Sequence, residues 1–253
     1  MRPVGVVRRI IPCMDVDADV VVKGVNFQGL RIVGNPVELA SRYEEEGADE
    51  LFLLDITATV QRRPLFLRTV REVAGVVNIP LGVGGGIRSI EDADKAFKAG
   101  ADKVSVNTAA VRNPKIVEEL AREYGSQSVV VAIDVKRHGP RWLVYIEGGR
   151  VNAGIDALEW AKAVEGLGAG ELLVTSIDAD GTRQGYDVEL YRRLSEAVNI
   201  PVIASGGAGE VRHFVEVLRY ADAALAASVF HMDIIKIPIL KAYISEAGIE
   251  VRI

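Results

Sequence analysis

The chain says nearly the same thing twice, and each time it ends a strand-like apolar run in an aspartate. Ile10-Ile11-Pro12-Cys13-Met14 runs into Asp15, and Val129-Val130-Val131-Ala132-Ile133 runs into Asp134. In each half there follow a run opening at a glutamate (Glu50, Glu171), an Asn-Ile-Pro triplet (78–80, 199–201) and a glycine cluster (Gly84-Gly85-Gly86, Ser205-Gly206-Gly207), separated by 119 to 121 residues. Two half-length units have been fused. Any fold must accommodate the same set of elements twice, with the polar strand ends of the two copies facing one another.

Strand-like runs begin near Arg8, Glu50, Ile79, Asp102, Ser128, Glu171, Ile200 and Ala221, with amphipathic helical stretches between them. Asn35-Pro36 and Asn113-Pro114 each place a cap residue before a proline in the first turn, and Ser89-Ile90-Glu91-Asp92 resembles a capping box. Near-continuous apolar strands joined by helices require a parallel sheet covered on its outer face. Eight such units predict an α/β fold, an eight-fold (β/α) TIM barrel built from two duplicated half-barrels. It forms a single domain over 1–253, with an internal repeat roughly 1–125 and 126–253. A doubly wound open sheet is the alternative, but it does not readily explain four units plus four.

At 253 residues, 49% hydrophobic and 26% charged, the chain can bury a substantial core. Its net charge of -5 and the absence of any like-charge block longer than Glu44-Glu45-Glu46 argue against nucleic acid or an anionic membrane as partner. The single cysteine, Cys13, excludes an internal disulfide and a cysteine-cluster metal site, which fits a reducing cytoplasm. The start, Met1 to Arg9, is too charged to be a signal peptide, so a soluble, unprocessed, cytoplasmic protein is expected. His138, His213 and His231 show no ligand spacing. Neither a metal nor a cofactor is expected.

In a duplicated barrel, strands one and five lie diametrically opposite. Strands about 4.8 Å apart and tilted about 36° give a ring roughly 15 Å across, leaving roughly 8 Å between inward-reaching Asp15 and Asp134. The two carboxylates are then too far apart to share a proton and are expected to work separately as acid and base, at the end of the barrel where such folds place their chemistry.

The glycine clusters add anion binding. Gly84, Gly85 and Gly86 follow one strand and Asn107-Thr108 the next; Ser205, Gly206 and Gly207 follow a strand in the second half and Ala227-Ser228 the next. Glycine lets backbone approach an anion closely, turn amides donate to phosphate oxygens, and the hydroxyls of Thr108 and Ser228 add to them. Tight strand-to-helix turns need glycine anyway, but the arrangement occurs in both halves. It predicts a small-molecule bis-phosphate substrate with its reacting centre between Asp15 and Asp134.

These stretches resemble a known family. Cys13-Met14-Asp15-Val16, Lys23-Gly24, Asp55-Ile56-Thr57-Ala58-Thr59, Val83-Gly84-Gly85-Gly86-Ile87, Ser105-Val106-Asn107-Thr108-Ala109-Ala110, Ala132-Ile133-Asp134, the run 175–182 and Ala204-Ser205-Gly206-Gly207-Ala208-Gly209 are similar to the cyclase subunit of imidazole glycerol phosphate synthase, over essentially the whole chain. The resemblance implies a protein of histidine biosynthesis. It would take a formimino-linked phosphoribulosyl aminoimidazole carboxamide ribonucleotide plus ammonia, and release imidazole glycerol phosphate and aminoimidazole carboxamide ribonucleotide. Asp15 and Asp134 match the family's catalytic aspartates. Ammonia would come from a glutaminase subunit at the amino-terminal face of the barrel.

Ammonia delivery needs an axial path. Counting back by twos from Asp15 puts Cys13, Ile11 and Arg9 on the inward side, and from Asp134 it puts Ala132 and Val130 there. Arg9, Glu50, Lys103 and Glu171 begin strands one, two, four and six, so a ring of two cations and two anions at the base is expected, either a closing plug or, as the resemblance supports, an ammonia gate. Lys23 lies in a long connection, roughly residues 17–34, expected to form a mobile flap over the mouth. Asp55, Asp180 and Gly181 are further substrate-binding candidates. The competing assignments are the isomerase of the preceding pathway step, which shares two aspartates and two phosphate pockets, and a noncatalytic sugar-phosphate-binding barrel.

Overall fold

Eight parallel strands close into a ring, and every other residue of each points into it. The computed structural model describes residues 7–17, 20–25, 28–55 and 66–253, with 23–25 and 28–31 described by backbone alone. Residues 1–6, 18–19, 26–27 and 56–65, which include the Ile56-Thr57-Ala58-Thr59 stretch of the resemblance, lie outside the described residues.

In chain order the strands are β1 (Arg9–Asp17), β2 (Val20–Val25), β3 (Gln28–Gly34), β4 (Leu51–Asp55), β5 (Leu81–Gly84), β6 (Lys103–Val106), β7 (Val129–His138), β8 (Arg141–Ile146), β9 (Val151–Asp156), β10 (Glu171–Ser176), β11 (Val202–Ser205) and β12 (Ala223–Ala226). The parallel ring runs β1-β4-β5-β6-β7-β10-β11-β12 and closes from β12 back to β1. β1 and β7 stand four places apart in a ring of eight, so Asp15 and Asp134 sit on opposite strands. Each barrel strand starts within two residues of its expected position.

The repeat markers have a structural cause. Glu44 Oε1 accepts the backbone amides of Asn78 and Ile79 at 2.6 and 3.1 Å, and Glu165 Oε1 accepts those of Asn199 and Ile200 at 2.8 and 3.2 Å. A carboxylate on the first helix after the opening barrel strand of each half thus fixes the entry to the third strand of that half. Asp102 and Asp222 then accept the first amides of those strands, Leu81 N and Val202 N, each at 2.9 Å. Asn-Ile-Pro is therefore a folding motif at the amino-terminal side of the barrel.

The helices coat the outside. Asn35 caps the helix Pro36–Glu45 by accepting from Val37 N and Glu38 N, and Ser89 caps Ile90–Lys98 by accepting from Asp92 N. The Asp92 carboxylate accepts from Arg88 N, one residue upstream of the reciprocal partner in a capping box. Asn113 departs from expectation: Pro114 occupies the cap position of Lys115–Tyr124, and no side chain caps that helix. The large core lies between helices and strands, and a second, smaller one fills the barrel with Ile11, Cys13, Phe52, Val130, Leu173, Ile203, Ala223 and Leu225.

Two excursions interrupt the plain strand-helix order. The described residues of the 17–34 connection, which the sequence reads as a long flap over the mouth, form the antiparallel ribbon β2-β3, which extends from β1. In the second half, β7 runs on past Asp134 and folds back through β8 and β9. The turn there is Gly139-Pro140, with Gly139 at φ +61°, a left-handed geometry suited to the first position of a two-residue hairpin turn. That dipeptide was the readable signal for the missed hairpin. Among the described residues no helix is long and apolar enough to cross a membrane.

Candidate active site

The carboxyl ends of the barrel strands enclose one cavity of about 500 Å³. Asp15, Asp55, Gly85, Gly86, Asn107, Thr108, Asp134, Asp180, Gly181, Ser205, Gly206, Gly207, Ala227 and Ser228 all line it. Gly84 does not. It sits in β5 between Leu54 and Ser105, where an added Cβ would lie 2.7 Å from Leu54 Cδ2 and 3.0 Å from Ser105 Cβ, so it serves close packing of the barrel wall. The side chain of Lys23 lies outside the described residues, and its backbone belongs to β2.

Strand alternation aims both aspartates. Asp15 is 7% exposed, and Cys13, two residues below it, places its Sγ 3.8 Å from Asp15 Oδ1. Asp134 stands beside Thr175 in the β7–β10 register and accepts a hydrogen bond from Asn107 Nδ2 at 2.9 Å. Burial pushes the Asp134 carboxyl up to about 6, the Asn107 hydrogen bond opposes that rise, and the negative charge of Asp180 adds to it. A carboxyl titrating there can both hold and give up a proton near neutral pH.

The glycine turns repeat down to backbone contacts. Gly85 at φ +82° lies against the end of β4, where a Cβ would fall 2.1 Å from the Asp55 carbonyl oxygen. Gly206 at φ +91° lies against the end of β10, where a Cβ would fall 2.7 Å from the Ser176 carbonyl oxygen. Neither position tolerates a side chain, and both leave strand-to-helix amides near the cavity wall. Thr108 begins the short helix Thr108–Arg112, and its Oγ1 accepts the Glu147 amide at 3.0 Å from the turn between β8 and β9. The Thr108 hydroxyl proton therefore remains directed by whatever acceptor enters the cavity.

Further lining residues escaped the sequence reading. Ser105 and Thr175 point inward by the alternation that begins at Lys103 and Glu171, a signal that was available. Arg112 lies one helical turn beyond Thr108 and pairs with Glu147, and Arg88 lies just past the glycine cluster. Gly148, in the connection after the fifth barrel strand, also reaches the wall, from the turn between β8 and β9.

The cavity floor is Cys13, Ala132, Leu173 and Leu225. Below it Ile11, Phe52, Val130 and Ile203 fill the bore, with the Phe52 ring lying against Gly82. At the base the four charged strand-start residues meet in a closed ring. Arg9 bonds Glu50 at 2.7 Å and also bonds Glu171; Lys103 bonds Glu50 at 2.8 Å and Glu171 at 2.9 Å. Burial works against the Arg9 charge, but the flanking Glu171 and Glu50 outweigh it and raise its affinity for the proton. Burial raises Glu50, with Lys103 opposing.

Comparison with known proteins agrees with this architecture. A family model described as "Histidine biosynthesis protein" matches residues 9–236. Curated proteins named "Imidazole glycerol phosphate synthase subunit HisF" align almost end to end. The one from Pyrobaculum aerophilum is 63% identical, covering 97% of this chain and 98% of that protein. The one from Sulfurisphaera tokodaii is 60% identical over 97% and 99%, and the one from Saccharolobus solfataricus 58% identical over 97% and 98%. The chain thus belongs to the histidine biosynthesis protein family and, within it, to the HisF cyclase subunits of imidazole glycerol phosphate synthase.

Proposed function

We propose that this chain joins ammonia to the formimino-linked bis-phosphate ribonucleotide and releases imidazole glycerol phosphate and aminoimidazole carboxamide ribonucleotide. One observation carries the proposal: two carboxylates on opposite strands share a cavity with two repeat-related glycine turns. One phosphate rests on Gly85, Gly86 and Thr108, the other on Gly206, Gly207 and Ser228, and the reacting centre lies between Asp15 and Asp134. Protons must move as ammonia adds, as the carbon–nitrogen bond breaks and as the imidazole closes. Asp15 serves as the indispensable acid/base. Asp134, titrating at about 6, is its partner and supplies whichever protonation state the step requires. Asp55, Asp180 and Gly181 contact the ribose portions, and Lys23 holds phosphate or developing negative charge.

Ammonia enters from a glutaminase subunit docked on the amino-terminal face. The ring of Arg9, Glu50, Lys103 and Glu171 acts there as a gate, and the apolar bore above it conducts a neutral molecule while disfavouring ammonium. The word "subunit" in the relatives' names accords with an assembled enzyme.

An absorbance assay of the purified chain with substrate and excess ammonium salt, without any partner, tests this. Turnover that falls by at least about 10² in Asp15→Asn supports the acid/base assignment. Tight substrate binding without turnover would establish a noncatalytic barrel instead, and conversion of the earlier pathway intermediate without ammonia would establish an isomerase.

A further inference from the structure

The two phosphate turns are repeats, yet they are held differently. The turn at Ser228 opens the short helix Ser228–His231, whose last residue is buried against the helix Pro36–Glu45. Arg42 Nη2 donates to the Phe230 carbonyl at 3.0 Å and to Tyr43 Oη at 3.1 Å, and Tyr43 Oη lies 2.5 Å from His231 Nδ1. Arginine can only donate, so the Tyr43 oxygen accepts from it, and the same oxygen shares one proton with His231 Nδ1 in a direction set by the imidazole tautomer. Tyr43 is fully buried, and burial raises its hydroxyl to about 12 against the opposing charge of Arg42, so it stays neutral. Phe230 packs edge-on against Tyr43 with ring centres 6.4 Å apart.

The matching positions in the other half are Ala163, Val164 and Val111. None of them can make a hydrogen bond through its side chain. There the Thr108 turn is tied instead to the β8–β9 hairpin, through the Glu147 amide on Thr108 and the Arg112–Glu147 ion pair.

We infer that Arg42, Tyr43 and His231 are positioning residues that fix the Ser228 turn in its phosphate-binding geometry, making the two ends of the site unequal. The inference rests on the proposed phosphate role of Ser228. The Ser228 end is held by a buried, directional hydrogen-bond chain reaching it from the neighbouring barrel unit. The Thr108 end is held by an exposed ion pair on a hairpin. A substrate with two different phosphate-bearing ends meets one rigid anchor and one adjustable anchor.

The test is steady-state kinetics of the full chain with the formimino-linked substrate and saturating ammonium salt, paired with thermal melts. Tyr43→Phe and His231→Leu each remove the Tyr–His bond, and KM should rise roughly five- to tenfold, the worth of one net hydrogen bond, with kcat within about twofold. His231→Asn keeps an acceptor near the Nδ1 position and should restore KM to within about twofold of the wild type. Unchanged KM alongside a lowered Tm in Tyr43→Phe, or equal KM defects in His231→Asn and His231→Leu, would overturn the positioning role. Ser228→Asp separates the two layers of the argument by adding a negative charge to the turn. If it leaves KM unchanged, the phosphate reading itself fails; if it raises KM while Tyr43→Phe does not, only the positioning inference fails.

Discussion

Replacing Asp134 by asparagine should stabilise the protein while disabling it. Its carboxyl is raised by burial from an ordinary 3.8 to about 6, so the fold prefers the neutral form. The favourable contribution of the protonated carboxyl is complete below about 3.8 and is lost as the pH rises through about 6. Near pH 8 the ionised group therefore costs about 3 kcal/mol, and near pH 4.5, where most of the folded population is already protonated, about 1 kcal/mol. Asparagine is nearly isosteric and never ionises. Its amide can donate to Asn107 Oδ1, which is buried without a partner among the described residues, and this replaces the bond that Asn107 Nδ2 now gives to the carboxylate. Thermal melts of wild type and Asp134→Asn should differ by several degrees near pH 8, since about 1 kcal/mol shifts Tm by roughly 2–4 °C in a domain of this size. The gap should narrow about threefold near pH 4.5. A Tm gain that does not change with pH, or a loss near pH 8, would refute the claim that ionising Asp134 strains the fold.

Three further outcomes follow from the geometry. Arg9→Met should destabilise the fold by about 3–5 kcal/mol in urea melts, because Glu50 and Glu171 stay buried with Lys103 as their remaining ring partner; a change below about 1 kcal/mol would mean that water already screens the ring. Gly85→Ala places a Cβ 2.1 Å from the Asp55 carbonyl oxygen at φ +82°, so it should abolish substrate binding or prevent folding, as read by calorimetric titration and circular dichroism. Glu165→Ala leaves the amides of Asn199 and Ile200 without their acceptor and should cost about 1–3 kcal/mol in urea melts with kcat unchanged; a kinetic defect with unchanged stability would show that the Asn-Ile-Pro turn reaches the site.

The sequence by itself determined the architecture and most of the cavity wall. Duplication placed strands one and five opposite each other, and period-two alternation put Arg9, Ile11, Cys13 and Asp15 on one inward row and Val130, Ala132 and Asp134 on another, because successive strand side chains must point to opposite faces. Glycine at both turns could likewise be read from the need for a tight strand-to-helix turn, although the contact that excludes a side chain there comes from the end of the neighbouring strand, β4 or β10. Tertiary structure alone decided what depends on contacts between distant segments. Gly84 adjoins the glycine turn in sequence, but the barrel register gives its space to Leu54 and Ser105. The 17–34 ribbon and the β8–β9 hairpin extend strands whose register the local pattern does not specify. Arg9 meets Glu50, Lys103 and Glu171 only when the ring closes, and Tyr43 meets His231, 188 residues away, only because the last barrel unit packs beside the first. Duplication made the two halves alike in sequence; closure of the barrel gave each a different neighbour, and that is where the turns at Thr108 and Ser228 diverge.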